Sequence, residues 1–241
     1  LYLTHWFQKN PPSRATYNKV AILQHEHIQT HYDRVLLLDS DAMVYRFDLD
    51  IATAYNMEDI MLVALRASTG NTTWNVNIGV TLWNLHHPQI QRVLSMWNWK
   101  CRRRIANGMT DNDQKPLQYI LKAMKEPRPV LAVKGDFGYK MGTVVRHYIR
   151  VKSSSWEDDG DDKHAKQRLD DVRQTSMEIC EIYHPACKEE FIAVSLCVGD
   201  VRHSVIRFDG IPAWILKLSR FVIVSGMNTD LDKQDRHPSM D

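Results

Sequence analysis

Apolar and polar positions along the chain change period several times, and each change marks a candidate element. Residues 17–29 carry Val20, Leu23 and Ile28 at roughly helical spacing, with Pro11, Pro12 and Ser13 upstream as a start signal. Arg34-Val35-Leu36-Leu37-Leu38 is then a short apolar run ending in Asp39-Ser40-Asp41. A run of that length suits a strand covered on both faces, the kind found in parallel sheets. Residues 60–64 and 77–83 are further runs of this sort. Helical periodicity returns over 88–99 and 114–125, and 130–133 and 143–149 read as additional strands. Strand-like runs alternating with helices predict an α/β chain with a mostly parallel central sheet flanked by helices.

Past residue 149 the pattern changes. Residues 153–162 read as a polar, acidic loop, and 164–190 as a charged helix broken near Pro185. The rest, to Asp241, follows no clear period, and the tail from Asn228 is polar. The expected division is a core over residues 1–155 and a helical or irregular appendage over 156–241.

Composition narrows the class. With 241 residues, 44% of them hydrophobic and 25% charged, the chain can bury one sizeable core and is not of disordered type. Thirty-one Lys and Arg against 29 Asp and Glu leave +2, too little field to imply nucleic acid as a partner. The most apolar stretch, 211–224, is interrupted by Lys217 and Arg220, so no membrane span is expected. The chain opens on Leu1 rather than Met, so any targeting segment is expected upstream of it. Four cysteines without a CxxC pair make a zinc knuckle a poor fit, with Cys180 and Cys187 the most local disulfide candidate and reduced thiols the alternative. Asn71-Thr72-Thr73 has the form of a glycosylation acceptor and leans toward a secretory compartment.

The sharpest chemistry lies in Asp39-Ser40-Asp41. Extended residues two apart point to one side, so both carboxylates are expected at the carboxyl end of a central strand, where open α/β sheets place ligands. Two acids that close repel unless a cation or shared proton relieves them. A hard divalent ion, Mg²⁺ or Mn²⁺, fits and keeps positions open for phosphate oxygens.

The surrounding residues carry a likeness. Tyr17-Asn18-Lys19-Val20, then Arg34 to Ala42 ending in Asp39-Ser40-Asp41-Ala42, resembles nucleotide-sugar glycosyltransferases of the GT-A fold. The likeness is to their galactosyl-, mannosyl- and xylosyltransferase group, with Tyr17 standing where a Trp is usual. Asn77-Ile78-Gly79-Val80, Asp113-Gln114 and Val145-Arg146-His147 are similar to three further segments of that family, in the same order, so the likeness covers about residues 15–150. It implies a GT-A (Rossmann-like) fold whose first strand is truncated here. It also implies Mn²⁺ or Mg²⁺ on Asp39, Asp41 and His147, and a UDP- or GDP-sugar donor. Transfer would be to a glycan or glycoprotein hydroxyl, in the Golgi lumen, behind an anchor upstream of this segment. Lys19 and Lys152 are then candidates to neutralise phosphates and Asp39 to face the ribose or the metal. Asn77 and Gly79 would lie against the sugar. Asp113 and Gln114 would lie near the reacting groups, Asp113 as base or as donor-orienting residue. Asp111, two residues away, competes for that role, and N-capping of a helix is the plain alternative for Asp113. Trp83 suits either an acceptor ring or, more simply, the core.

Two other classes fit parts of the pattern. A haloacid-dehalogenase-type phosphatase would use Asp39 as nucleophile and Asp41 as acid, with Val198-Gly199-Asp200 as its late motif, but leaves Asn77-x-Gly79 and Asp113-Gln114 unexplained. A non-catalytic sugar-binding protein would keep the fold without the chemistry.

Overall fold

The computed structural model describes residues 17–39, 41–67, 72–109, 113–138, 140–148, 160–183 and 221–226. Two short helices come first, α1 (Asn18–Leu23) and α2 (Glu26–His31). The expected single helix over 17–29 is broken at His25, whose backbone is extended and whose ring accepts the amide of His27, so it ends one helix and caps the next.

Strands β1 (Arg34–Asp39), β2 (Ala42–Val44), β3 (Leu62–Arg66), β4 (Val76–Asn84), β5 (Val130–Val133), β6 (Phe137–Gly138), β7 (Val145–His147) and β8 (Phe221–Gly226) form two sheets. The larger has the order β5-β3-β4-β1-β8 and the smaller β2-β7-β6. β3 and β5 are parallel, as are β1 and β8, but β4 runs antiparallel to both β1 and β3. The architecture is therefore α/β with mixed sheets, which corrects the reading of 77–83 as one more strand of a parallel sheet. An apolar run buried on both faces looks the same in either direction. β8 pairs along β1 from Arg34↔Phe221 to Asp39↔Gly226, so the segment expected to be irregular contributes a strand to the main sheet.

Alternation along β1 fills two cores. Val35 and Leu37 join one cluster with Leu23, Ile28, Trp83, Leu94, Trp97 and Leu117. Leu36 and Leu38 join the other with Tyr55, Val63, Leu82, Phe137 and Val145. The first core is closed by α4 (Ile90–Ala106) and α5 (Gln114–Ala123). α4 buries Ile90, Val93, Leu94, Trp97 and Cys101 at helical spacing. It stops at Gly108, where φ is +71°, with Gly108 N–H on the Ile105 carbonyl and Met109 N–H on Arg104. Trp83 is fully buried, stacks on Trp97 at 5.7 Å and donates its indole N–H to Thr81 at 2.9 Å, so it is a core residue.

The short α3 (Ile51–Ala54) and the long α6 (Gly160–Tyr183) complete the elements. α6 begins inside the acidic run, so residues 160–162 are helical rather than loop. Among the described residues no helix is long and apolar enough to cross a membrane.

Candidate metal centre

Five elements, α1, β1, β4, α5 and β7, converge at the carboxyl end of β1. Asp39 ends that strand, Asp41 follows its turn, and β7 brings His147 alongside because Ala42 pairs with His147 in the small sheet. The amide of Tyr148 closes this junction on the Asp41 carbonyl at 2.7 Å. His147 Nε2 lies 3.1 Å from Asp41 Oδ1 and 3.7 Å from Asp39 Oδ2. One ligand atom from each of the three residues lies within 4.8 Å of the other two, so the cluster could hold a metal ion. Ligands about 2.1 Å from one ion sit roughly 3–4 Å apart, so the spacing of His147 from each carboxylate suits neighbouring positions on a single cation. His147 Nδ1 is buried and has no acceptor among the described residues.

Gly79 makes the convergence possible. A Cβ there would lie 2.0 Å from His147 Cε1 and 2.7 Å from Asp39 Oδ2. Its local backbone is irregular as well: β3 pairs Ala64 with Thr81 but the adjacent Leu65 with Asn77, so Ile78, Gly79 and Val80 bulge out of that ladder. The freed backbone groups are taken up by side chains. Asn77 Oδ1 accepts the Gly79 amide at 2.8 Å, Gln114 Oε1 accepts the Ile78 amide at 3.3 Å, and Lys19 Nζ donates to the Ile78 carbonyl at 3.2 Å.

Lys19 is buried rather than solvated. Its ammonium lies 2.5 Å from Asp39 Oδ1 and 3.8 Å from Asp113 Oδ2. Burial opposes its charge, but Asp113 and Asp39 outweigh that and hold its pKa above the ordinary lysine value. Asp113 occupies the N-cap position of α5, yet its side chain makes no capping hydrogen bond; its carboxylate, 4% exposed, faces Lys19 instead. Desolvation pushes its pKa up to about 6, with Lys19 pulling the other way and Asp39 adding to the rise. Its backbone carbonyl accepts the Trp97 indole N–H at 2.9 Å, which ties the position to the core. Three carboxylates, those of Asp39, Asp41 and Asp113, share one ammonium, that of Lys19, so the cluster carries an excess of negative charge that a bound cation would relieve.

Of the residues singled out from sequence, Lys19, Asp39, Asp41, Asn77, Gly79, Asp113, Gln114 and His147 thus meet around one end of β1. Asn77 and Gln114 support the bulge, and the space beside Gly79 is taken by His147 and Asp39. Lys152, Asp111, Asn71 and the Val198-Gly199-Asp200 segment lie outside the described residues. Sequence reading missed the Lys19–Asp113 pairing. The residue types were visible, but their meeting depends on α1 and α5 approaching β4 from one side. Cys101 is a free buried thiol, and Cys180 on α6 is buried and disulfide-bonded.

The second sheet is held by α6. Arg146 donates to Glu178 at 2.6 Å and to Thr175 at 3.0 Å, and its guanidinium lies 3.6 Å from the ring centre of Tyr45. Tyr148 also donates to Thr175, and Lys140 pairs with Asp171 at 2.7 Å. Both neighbours of His147 in the chain are therefore anchored to one helix.

Compared with known protein families, with curated proteins and with solved structures, the chain matches none.

Proposed function

We propose that the protein is a metal-dependent glycosyltransferase of the GT-A fold. In this reading it moves a hexose or pentose from a nucleoside diphosphate sugar to a hydroxyl of a glycan or glycoprotein. The observation that carries the reading is the meeting of Asp39, Asp41 and His147 at the carboxyl end of a strand in the main sheet. The order of the motifs along the sequence adds to it.

Asp39 Oδ2, Asp41 Oδ1 and His147 Nε2 would hold Mn²⁺ or Mg²⁺, oxygen-rich ligation being what those ions prefer. Bound there, the ion supplies Lewis-acid stabilisation of the charge that develops on a departing diphosphate. Lys19 serves that site from behind, fixing one oxygen of Asp39 so that the other faces the ion. Asp113, with a pKa near 6, is mostly ionised at neutral pH and basic enough to accept a proton from an acceptor hydroxyl. In a retaining enzyme the same carboxylate would orient the donor. The disulfide at Cys180 agrees with an oxidising compartment such as the Golgi lumen.

Calorimetry with UDP and GDP, with and without Mn²⁺, tests the reading. Nucleotide binding is expected to require the cation, to vanish with chelator, and to weaken at least thirtyfold in Asp41→Ala. Metal-independent binding unchanged by that substitution would sink the assignment, and so would turnover of a simple phosphomonoester in place of nucleotide binding.

A further inference from the structure

A second cluster of nitrogen ligands lies at the other end of β1. His27 and His31 stand four residues apart on α2, both exposed, with ring centres 4.0 Å apart. A backbone carbonyl can only accept, so the 2.9 Å contact of His31 Nδ1 with the His27 carbonyl puts the proton on Nδ1. Thr30 Oγ1, 2.7 Å from the same nitrogen, donates its own proton to the Glu26 carbonyl and accepts beside it. The neutral ring therefore carries its free lone pair on Nε2. A carbonyl acceptor for the far N–H is the arrangement that orients metal-binding imidazoles. Neither ring nitrogen of His27 has a hydrogen-bond partner among the described residues. His25 does not join them, since its Nδ1 caps the helix through the His27 amide.

We propose that His27 and His31 form an exposed two-imidazole site for a borderline transition-metal ion such as Cu²⁺, Ni²⁺ or Zn²⁺, with water completing the coordination. Imidazole pairs favour those ions, whereas the carboxylate-rich cluster at Asp41 favours hard cations, so the two sites differ in chemistry. They also differ in place. β1 leaves α2 at Arg34 and reaches Asp39 five residues later, roughly 17 Å along an extended strand. The proposal stands whether or not the glycosyltransferase reading does.

The test is titration of the tag-free full chain with Cu²⁺, followed by calorimetry and by the nitrogen couplings in the copper spectrum. His27→Ala and His31→Ala are each expected to weaken binding at least tenfold and to remove one imidazole coupling. Asp41→Asn is expected to keep both imidazole couplings assigned to His27 and His31, whatever it does to Cu²⁺ taken up at the Asp39–Asp41–His147 cluster. Absence of binding in the wild type, unchanged imidazole couplings in either histidine variant, or loss of both couplings in Asp41→Asn would each overturn the proposal. Both histidines are exposed, so unchanged helical circular dichroism distinguishes ligand loss from unfolding.

Discussion

At the scale of single residues, the site is decided by what fits beside what. Gly79→Ala would place a methyl group within van der Waals overlap of His147 and Asp39. The expected result is a folded protein whose Mn²⁺ affinity, read by electron paramagnetic resonance, falls at least tenfold. Wild-type affinity would show that His147 can move aside without loss. Lys19 separates two roles. A lysine reserved for phosphate could be replaced at little cost to the fold, whereas this one neutralises Asp39 and Asp113 inside the protein. Lys19→Met leaves those carboxylates facing each other and is expected to cost about 3 kcal/mol in urea unfolding. A change under about 0.5 kcal/mol would return Lys19 to the phosphate-binding role read from sequence. That role was the natural one to assign. The sequence displays an ammonium near a carboxylate pair, but not the 3.8 Å approach of Asp113 from a helix 94 positions later.

At the scale of elements, what was legible followed from period and burial. β1, β5 and α5 lie close to where the pattern of apolar positions puts them, because their buried faces meet the two cores, whereas α4 runs on to Ala106, seven residues past the end expected at Trp99. The break between α1 and α2 was hidden because His25 ends one helix through backbone conformation, with no Gly or Pro to announce it. β8 was hidden because Lys217 and Arg220 interrupt the apolar stretch 211–224 just ahead of it, and the bulge in β4 shows only in pairing with β3. α6 matters to the site through Arg146, whose guanidinium is 13% exposed and holds Glu178 and Thr175. Burial works against the Glu178 charge, yet its hydrogen bonds to Arg146 and Gln174 keep its pKa below the ordinary glutamate range. Arg146→Ala removes that partner and the packing over Tyr45 together. The expected loss is about 1–3 kcal/mol by chemical denaturation, with a several-fold drop in Mn²⁺ affinity as β7 loosens. A stability loss with unchanged cation affinity would mean that β2 alone positions His147.

For the molecule as a whole, the carboxylate knot between the two cores should write itself into the pH dependence of stability. Asp113 ionises at about 6 in the folded protein, against 3.8 for the free side chain. Between those values the folded chain still holds a proton that the unfolded chain has released. Unfolding is then increasingly favoured as pH rises, and this carboxyl subtracts stability from roughly pH 4 to pH 6. A shift of about two units corresponds to about 3 kcal/mol, and coupling to Lys19 and Asp39 makes about 1–3 kcal/mol the useful expectation. Asp48 and Glu178 act in the opposite sense, since both are held below their ordinary range, and their contribution is lost only at more acid pH. Comparing wild type with Asp113→Asn isolates the one group. The variant is expected to be the more stable at pH 7, by about that amount, and to lose the advantage as pH falls to 4.5. Urea midpoints across this range measure the difference directly. A constant offset between the two proteins would mean that Asp113 ionises in the fold as it does in water. Its burial would then be offset by Lys19 rather than held as a cost that favours a base, and the case for Asp113 as proton acceptor would lose its physical ground.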